Sequence, residues 1–244
     1  MINVGLLVVV IASQAAAQAA PLRADQPYTV KVAAKDGVVD LAVKADEAQL
    51  TDVATDLSKR LRAQVIVGPS LAKETITVDV PASPLEAALT SLAPRVLIDY
   101  EIRPDAKPMP RGIFLLGATD NDPATDTIAR GMSQGLLIEG HTEDTPKSEE
   151  EDPLRVTGDK NLISIVVKKQ PLNIVARAIA DVIGVPVDVR YDASELIELD
   201  VRNARPEELL PRISPNVRLF VRVDVNRAER TLLRMVIAPP SERE

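Results

Sequence analysis

The apolar positions between residues 38 and 117 change period several times, which indicates short strands interleaved with helices. In 48–62 they fall at helical spacing, whereas 75–80 alternates polar and apolar residues as a half-buried strand does. The predicted order is strand, helix, strand, strand, helix, strand, strand. These elements cover 38–44, 48–62, 65–67, 75–80, 85–93, 96–102 and 112–116.

The second helix of this region has a clear start signal. Ser83 stands at the position of an N-cap, Pro84 at the first helical position, and Glu86 three residues after the serine, as in a capping box. We therefore predict that Ser83 caps a helix that ends at Pro94.

The same order of elements recurs at 162–168, 171–183, 186–190, 196–201, 203–214, 217–223 and 231–237. Leu50 and Leu172 correspond at an offset of 122 residues, and Val96 and Val217 at 121. The pattern predicts an α+β fold of two tandem βαββαβ(β) modules, each a small sheet packed on two helices. The alternative is one larger α+β domain with accidental self-similarity.

The modules are expected to span 38–117 and 156–238, followed by a tail over 239–244. Residues 118–155 between them are rich in Pro, Gly and acidic residues, and the acidic run 149–152 favours a solvated chain. We predict a flexible linker that lets the modules move independently. Its short apolar piece, Leu136 to Ile138, is a candidate for docking on one module.

The N-terminal residues have the pattern of a secretory signal peptide. An apolar run at 5–12 is followed by small residues that end in Ala17-Gln18-Ala19, although no Lys or Arg precedes the run. The run is short for a membrane span, which needs about 20 residues. An uncleaved anchor and a buried strand are the alternatives. We expect removal of 1–19, a mature start near Ala20 in the periplasm, and a lead-in over 20–37.

Composition narrows the possible partners and chemistry. With 36 acidic and 29 basic residues the formal net charge is −7, which disfavours nucleic acid as a partner. The absence of Trp and the presence of only two Phe argue against a base-stacking platform. Because Cys is absent, disulfides, thiolate nucleophiles, Cys-ligated zinc and a lipid-anchored cysteine are excluded.

The first region combines a helix with Leu50, Val53 and Leu57, the strand and turn Val65-Ile66-Val67-Gly68-Pro69, and the segment T-I-T-V-D-V-P-A-S-P-L-E-A-A-L from Thr75 to Leu89. This pattern resembles the short N-terminal (STN) domain of secretins and TonB-dependent receptors. The second region, with P-E-E-L-L at 206–210, resembles it more distantly because a Gly-Pro pair after its short strand is missing.

The resemblance implies periplasmic interaction modules, which precede an outer-membrane channel or the plug and barrel of a receptor. No barrel-length series of amphipathic strands is present in this sequence. The expectation is therefore a binding role without channel or transport function, and a chain that is at most peripheral to a membrane.

Residues for catalysis or metal binding are sparse. His141, the single histidine, falls in the acidic linker and is expected to be a solvated loop residue, so Ser–His–Asp and zinc–His catalysis are poorly supported. Asp120, Asp122 and Asp126 suggest a calcium loop, but Pro123 interrupts it, and both the glycine at position six and the glutamate at position twelve are missing. We expect no enzyme, no metal and no cofactor.

Sheet edges are the first candidate binding surface. We place an exposed edge at 75–80 or 196–201, where a partner strand could add by β-augmentation. In the first segment Thr75, Thr77 and Asp79 are the candidate contacts. An edge that is simply blunted by charge is the equal alternative.

An arginine-rich strand is the second candidate. Arg218 and Arg222 share one strand face by period-two spacing and could meet an acidic partner or a glycan, unless this face is simply solvated. Together these features predict a periplasmic adaptor that binds envelope proteins of a secretion or outer-membrane assembly, with a second copy of the chain as another possible partner. A sensor or ligand-binding protein that uses the cleft between the modules is the alternative.

Overall fold

The computed structural model describes residues 26–35, 38–104, 106–125 and 153–239. The chain is mixed α+β, with 21% helix and 51% strand in three sheets, so the predicted class is confirmed. The elements of the first half are β1 (Tyr28–Lys35), β2 (Val38–Gln49), α1 (Leu50–Leu61), β3 (Gln64–Val67), a 3-10 helix (Pro69–Leu71), β4 (Thr75–Pro84), α2 (Leu85–Leu89), β5 (Arg95–Ile102) and β6 (Met109–Leu116). Those of the second half are β7 (Leu154–Gly158), β8 (Ile163–Pro171), α3 (Leu172–Ile183), β9 (Val187–Val189), β10 (Leu196–Ala204), α4 (Pro206–Ile213), β11 (Val217–Asp224) and β12 (Glu229–Ile237).

Helices α1 and α3 bury the apolar stripes that the sequence predicts. Leu50, Val53 and Leu57 of α1 are at most 1% exposed, as are Leu172 and Val175 of α3. Each such side chain contributes about 1.5–3 kcal/mol through burial. The two stripes lie in separate apolar cores, one for each half of the chain.

Three local predictions were wrong. The predicted lead-in contains β1, whose Val30 is buried in the first core, and β7 begins within the predicted linker. Ser83 does not cap α2: it lies in β4 and pairs with Leu41 of β2, and α2 begins at Leu85 without a side-chain cap. The chain stays extended through Pro84 because β4 continues its pairing with β2 up to that residue.

Each half contains one antiparallel three-stranded sheet. Their orders are β1-β2-β4 in the first half and β10-β8-β7 in the second. β4 and β10 therefore both lie at the end of a sheet. The prediction placed an edge at 75–80 or 196–201, and both segments lie in end strands of the described sheets.

The third sheet takes strands from both halves, in the order β3-β6-β5-β11-β12-β9. Its two outer strands each run parallel to their neighbour, as β3 does to β6 and β9 to β12, and the remaining pairs are antiparallel. The sheet therefore has the same strand arrangement when read from either end.

The central pair of this sheet has a two-fold symmetric register. Tyr100 of β5 lies opposite Val221 of β11, and on either side of them Ile102 pairs with Leu219 and Ile98 with Val223. This pairing joins the halves through continuous backbone hydrogen bonds. The β5–β11 pairing fixes the relative placement of the two halves, which differs from the expectation that the two modules move independently. Residues 126–152 of the predicted linker, with Leu136 to Ile138, lie outside the described residues.

The C-terminal ends of α1 and α3 give a first testable prediction. Both cap residues adopt the left-handed conformation, Arg62 with φ 52° and Gly184 with φ 68°. A residue with a Cβ is strained there by about 1 kcal/mol, whereas glycine is not. We expect Gly184→Ala to lower the free energy of unfolding by about 1 kcal/mol and Arg62→Gly to raise it by roughly 0.5 kcal/mol. Urea unfolding followed by circular dichroism measures both, and a stabilising Gly184→Ala would contradict the assignment.

Candidate functional site

The edge strand β4 presents one polar row to solvent. Thr75, Thr77 and Asp79 are all exposed, while the residues between them are half-buried against the first core. The Thr77 Oγ1 atom accepts a hydrogen bond from the Glu47 amide at 3.0 Å. Asp79 lies 3.8 Å from Lys44, and both side chains are 76% exposed, so this ion pair adds little to stability. The three predicted contact residues therefore form one continuous row on a sheet edge.

The edge strand β10 repeats this arrangement with different chemistry. Leu196, Glu198 and Asp200 are exposed, again alternating with half-buried residues. Each lies 121 positions after its counterpart in β4. Leu196 is 64% exposed, which is high for a large apolar side chain. The two edges thus offer partners the same geometry, one lined by hydroxyl groups and the other by acidic groups with an apolar end.

Arg222 is not on a solvated face, and the sequence-based alternatives for it were both wrong. Its Nε and Nη2 atoms donate to the two carboxylate oxygens of Asp99 at 2.6 and 2.8 Å, and Asp99 is 1% exposed. Its guanidinium also lies 5.0 Å from the centre of the Phe114 ring. The residue is thus used inside the protein, where it holds β11 against β5.

Arg218 lies in the same internal cluster. Its Nη1 atom is 3.5 Å from Glu101 Oε1, and Glu101 also accepts hydrogen bonds from Arg103 Nε and Arg111 Nε, both at 2.6 Å. The Glu101 side chain is fully buried, so its negative charge is balanced by arginines and not by water. We call Asp99, Glu101, Arg218 and Arg222 the junction cluster.

Burial raises the pKa of both carboxyl groups of the junction cluster, but the net pKa shifts of Asp99 and Glu101 are in opposite directions. It raises the pKa of Asp99 by more than the Arg222 contact lowers it. It also raises the pKa of Glu101, but the hydrogen bonds and charges of Arg103 and Arg111 outweigh it and hold that pKa below its usual range. A sequence signal for this cluster was available, because two acidic residues interrupt the apolar strand 96–102 at period two.

A cleft opens where β5 meets β11, on the side of the six-stranded sheet that carries the helices. Its floor is formed by the central pair Tyr100 and Val221 together with Ile102. It consists of two adjoining cavities of about 280 and 380 Å³, which share Val221 and Arg230. The sequence predicted a cleft between modules but none of the residues that line it, since these come together only through the pairing of the halves.

Tyr100 is the polar group at the centre of the cleft floor. Its hydroxyl donates to Glu86 Oε1 at 2.8 Å. Burial raises the pKa of Tyr100, and the adjacent Glu86 carboxylate raises it further. The phenol therefore stays protonated at neutral pH and acts as a hydrogen-bond donor, which makes it unsuited to act as a base.

Asp120 has a structural role within the first half. Its Oδ2 atom accepts hydrogen bonds from Gly117 N at 2.8 Å and Ser70 Oγ at 2.7 Å, and the Gly117 contact is the main reason that the pKa of Asp120 is lowered. A Cβ on Gly68 would meet the same oxygen, so a side chain there would displace the Asp120 carboxylate from these contacts. Asp122 pairs with Arg95. These partners occupy two of the three aspartates considered for calcium.

The remaining site predictions are not tested by these residues. His141 and Asp126 lie outside the described residues, as does the predicted signal peptide. In the described part of the chain no group of three or more His, Asp or Glu side chains is placed to hold a metal ion. None of the helices in that part has the length and apolar character that a membrane span requires.

Comparisons with known proteins give no relative. No family model matches the chain, and no match was found among curated proteins or solved structures.

Proposed function

We propose that this protein is a non-enzymatic adaptor of the periplasm, which binds envelope proteins through the free edges of β4 and β10. The observation that carries the proposal is the position of these strands. Each has one paired side and one side that no described strand covers, over 10 residues in β4 and 9 in β10. Unpaired backbone groups on such an edge can accept an additional strand, and exposed side chains then select the partner.

We further infer that the two halves are copies of one module that resembles the STN domain. The support is local and comes from matching irregularities. Glu47 and Lys169 both have φ 49°, both lie at a register shift in the strand that leads into a helix, and are 122 positions apart. Arg62 and Gly184 share the left-handed helix end at the same offset. Bulges and caps at equal positions are unusual between unrelated folds.

Two equivalent modules in one sheet give the adaptor a defined geometry. Because β5 and β11 pair, the β4 and β10 edges keep a fixed separation and orientation. Two binding edges on one body can hold two partner strands, or one partner at two points with a gain in avidity. A second copy of this chain is among the partners that such edges accept.

Edge variants test the adaptor function. We expect Thr75→Lys/Asp79→Lys on β4, or the matched Leu196→Lys/Asp200→Lys on β10, to lower capture of an envelope partner at least tenfold, because lysines on an edge oppose strand addition. The mature protein and both variants would serve as baits in native envelopes, with quantitative mass spectrometry as the readout. Circular dichroism melting confirms that the baits are folded.

If each edge binds a different partner, each double variant should lose the partner of the altered edge and keep the partner of the other edge. The proposal fails if the unmodified bait enriches nothing above background, or if both variants capture the same proteins at unchanged levels. Light scattering compares the oligomeric states. If the unmodified protein is a dimer and one of the variants is a monomer, a second copy of the chain occupies the edge altered in that variant.

A further inference from the structure

The cleft at the β5–β11 junction has chemically different halves. Its first half is lined mainly by apolar residues, among them Val38, Leu85, Ile102 and Pro110. Val38 is 50% exposed and lines this wall together with Leu85 and Ile102. The apolar wall therefore remains open to solvent in the described part of the chain.

The second half of the cleft is basic. Lys160, Arg205 and Arg230 line it together with one acidic residue, Glu207. In the described part of the chain no ion pair or hydrogen bond reaches the side chains of Lys160, Arg205 or Arg230, in contrast to the arginines of the junction cluster, although the Glu208 carboxylate accepts a hydrogen bond from the Arg205 backbone amide at 3.1 Å. Three cations against one carboxylate give a local positive charge on a chain whose formal net charge is −7. Such a site attracts an anionic group.

The two halves of the cleft differ in their side chains, although their backbones occupy matching positions in the fold. The cleft lies on the two-fold axis of the central strand pair, so its walls are built from residues at matching positions, 121 or 122 apart. The matching pairs are Val38 and Lys160, Pro84 and Arg205, and Pro108 and Arg230, whereas Glu86 and Glu207 match as acidic residues. At each of the first three pairs an apolar residue of the first half corresponds to a charged residue of the second. A cleft with one apolar and one cationic end fits a ligand with the same two parts.

We propose that the cleft binds a small amphipathic anion, whose apolar chain lies along Val38, Leu85 and Ile102 and whose carboxylate or phosphate lies between Arg205 and Arg230. The cavities of about 280 and 380 Å³ are of the size that holds small molecules. Tyr100 lies on the floor of the apolar half, where its hydroxyl donates its one proton to Glu86 Oε1 at 2.8 Å. This site is separate from the β4 and β10 edges, so it does not depend on their function.

Calorimetric titration with decanoate and with decyl phosphate, both below their micelle concentrations, tests the proposal. We expect one ligand per chain and at least tenfold weaker binding of decanol, which lacks the charge. Arg205→Gln and Arg230→Gln should each weaken decanoate binding about tenfold, since each removes a charged hydrogen-bond donor. Arg177→Gln, an exposed position on α3 with the same change of charge, should leave it unchanged.

A second variant tests the apolar half, because Val38→Asp should weaken binding of both anions at least tenfold without affecting the fold at this exposed position. Three outcomes would overturn the proposal. These are no binding of either anion, equal binding of decanol, or equal loss of affinity in Arg177→Gln and Arg205→Gln. Flotation of the protein with phosphatidylglycerol vesicles in the absence of decanoate binding would also overturn it, since it would assign the basic residues to a membrane surface.

Discussion

Replacing Arg222 with methionine is expected to lower the free energy of unfolding by about 3–5 kcal/mol. The side chain of Asp99 is 1% exposed, and both of its oxygens accept hydrogen bonds from Arg222. Removal of the guanidinium leaves a buried carboxylate without its partner, while the aliphatic part of methionine still fills the space beside Phe114. Denaturant unfolding at pH 7 measures the effect.

The double variant Asp99→Leu/Arg222→Met is the matched control. It removes both charges and should be within about 1 kcal/mol of the unmodified protein, or more stable, because replacing a buried ion pair with apolar groups is often neutral. A double variant as unstable as Arg222→Met alone would show that the ion pair is not the reason for the loss.

The loss in Arg222→Met should also depend on pH in a defined direction. Burial raises the pKa of Asp99, and without Arg222 nothing opposes that shift. A carboxyl group whose pKa is raised on folding favours the folded state below its unfolded pKa, near 3.9, and costs stability as the pH rises through the folded value. The difference between the unmodified protein and Arg222→Met is therefore expected to be largest at neutral pH and to shrink towards pH 4. A difference that grows on acidification would be inconsistent with this origin.

Glu101→Gln is the second substitution with a large expected effect, a loss of about 3 kcal/mol in the free energy of unfolding. Glutamine keeps the shape but removes the negative charge that Arg103, Arg111 and Arg218 approach. Three guanidinium groups would then crowd an uncharged amide at the sheet centre. Glu74→Gln, an exposed position with the same chemical change, should shift the free energy by less than about 0.5 kcal/mol.

The contribution of Glu101 to stability depends on pH in the opposite direction to that of Asp99, although the gap between variant and unmodified protein shrinks on acidification in both cases. Arg103 and Arg111 hold the pKa of Glu101 below its usual range despite burial. A carboxyl group with a lowered pKa stabilises the fold above its unfolded value, near 4.3, and this contribution is lost as the pH falls through the folded value. Unfolding measured between pH 7 and pH 3 should show the gap between the unmodified protein and Glu101→Gln closing below about pH 4. A gap that stays constant over this range would show that the loss in the free energy of unfolding does not come from the charge of Glu101.

Local periodicity predicted the helices and the sheet edges, because these depend on nearby residues. The stripe of Leu50, Val53 and Leu57 defines α1 without reference to the rest of the chain. The alternation of 75–80 indicated a strand with one solvated side, and β4 is an edge. The alternation of Val30 and Val32 carries the same signal in β1, which lies within the predicted lead-in.

The junction and the cleft could not be predicted in this way. The pairing of β5 with β11 joins residues more than 100 positions apart, and neither strand's own pattern specifies the other as its partner. The clue lay in charge: acidic residues in one apolar strand and arginines in another, each at period two, are buried only if they neutralise one another. Arg222 was therefore placed on a surface when it belonged to an interface within the chain. Lys160, Arg205 and Arg230 show no common motif, because they meet only after the halves have paired.

The most direct test of the adaptor function is site-specific photo-crosslinking in intact envelopes. A photoreactive amino acid would replace Thr77 on β4, its counterpart Glu198 on β10, and Lys59, an exposed residue on α1 that lies away from both edges. The account predicts a discrete crosslinked protein from Thr77, Glu198 or both, and none from Lys59. Crosslinking of the same proteins from all three positions, or from Lys59 alone, would contradict binding through the sheet edges.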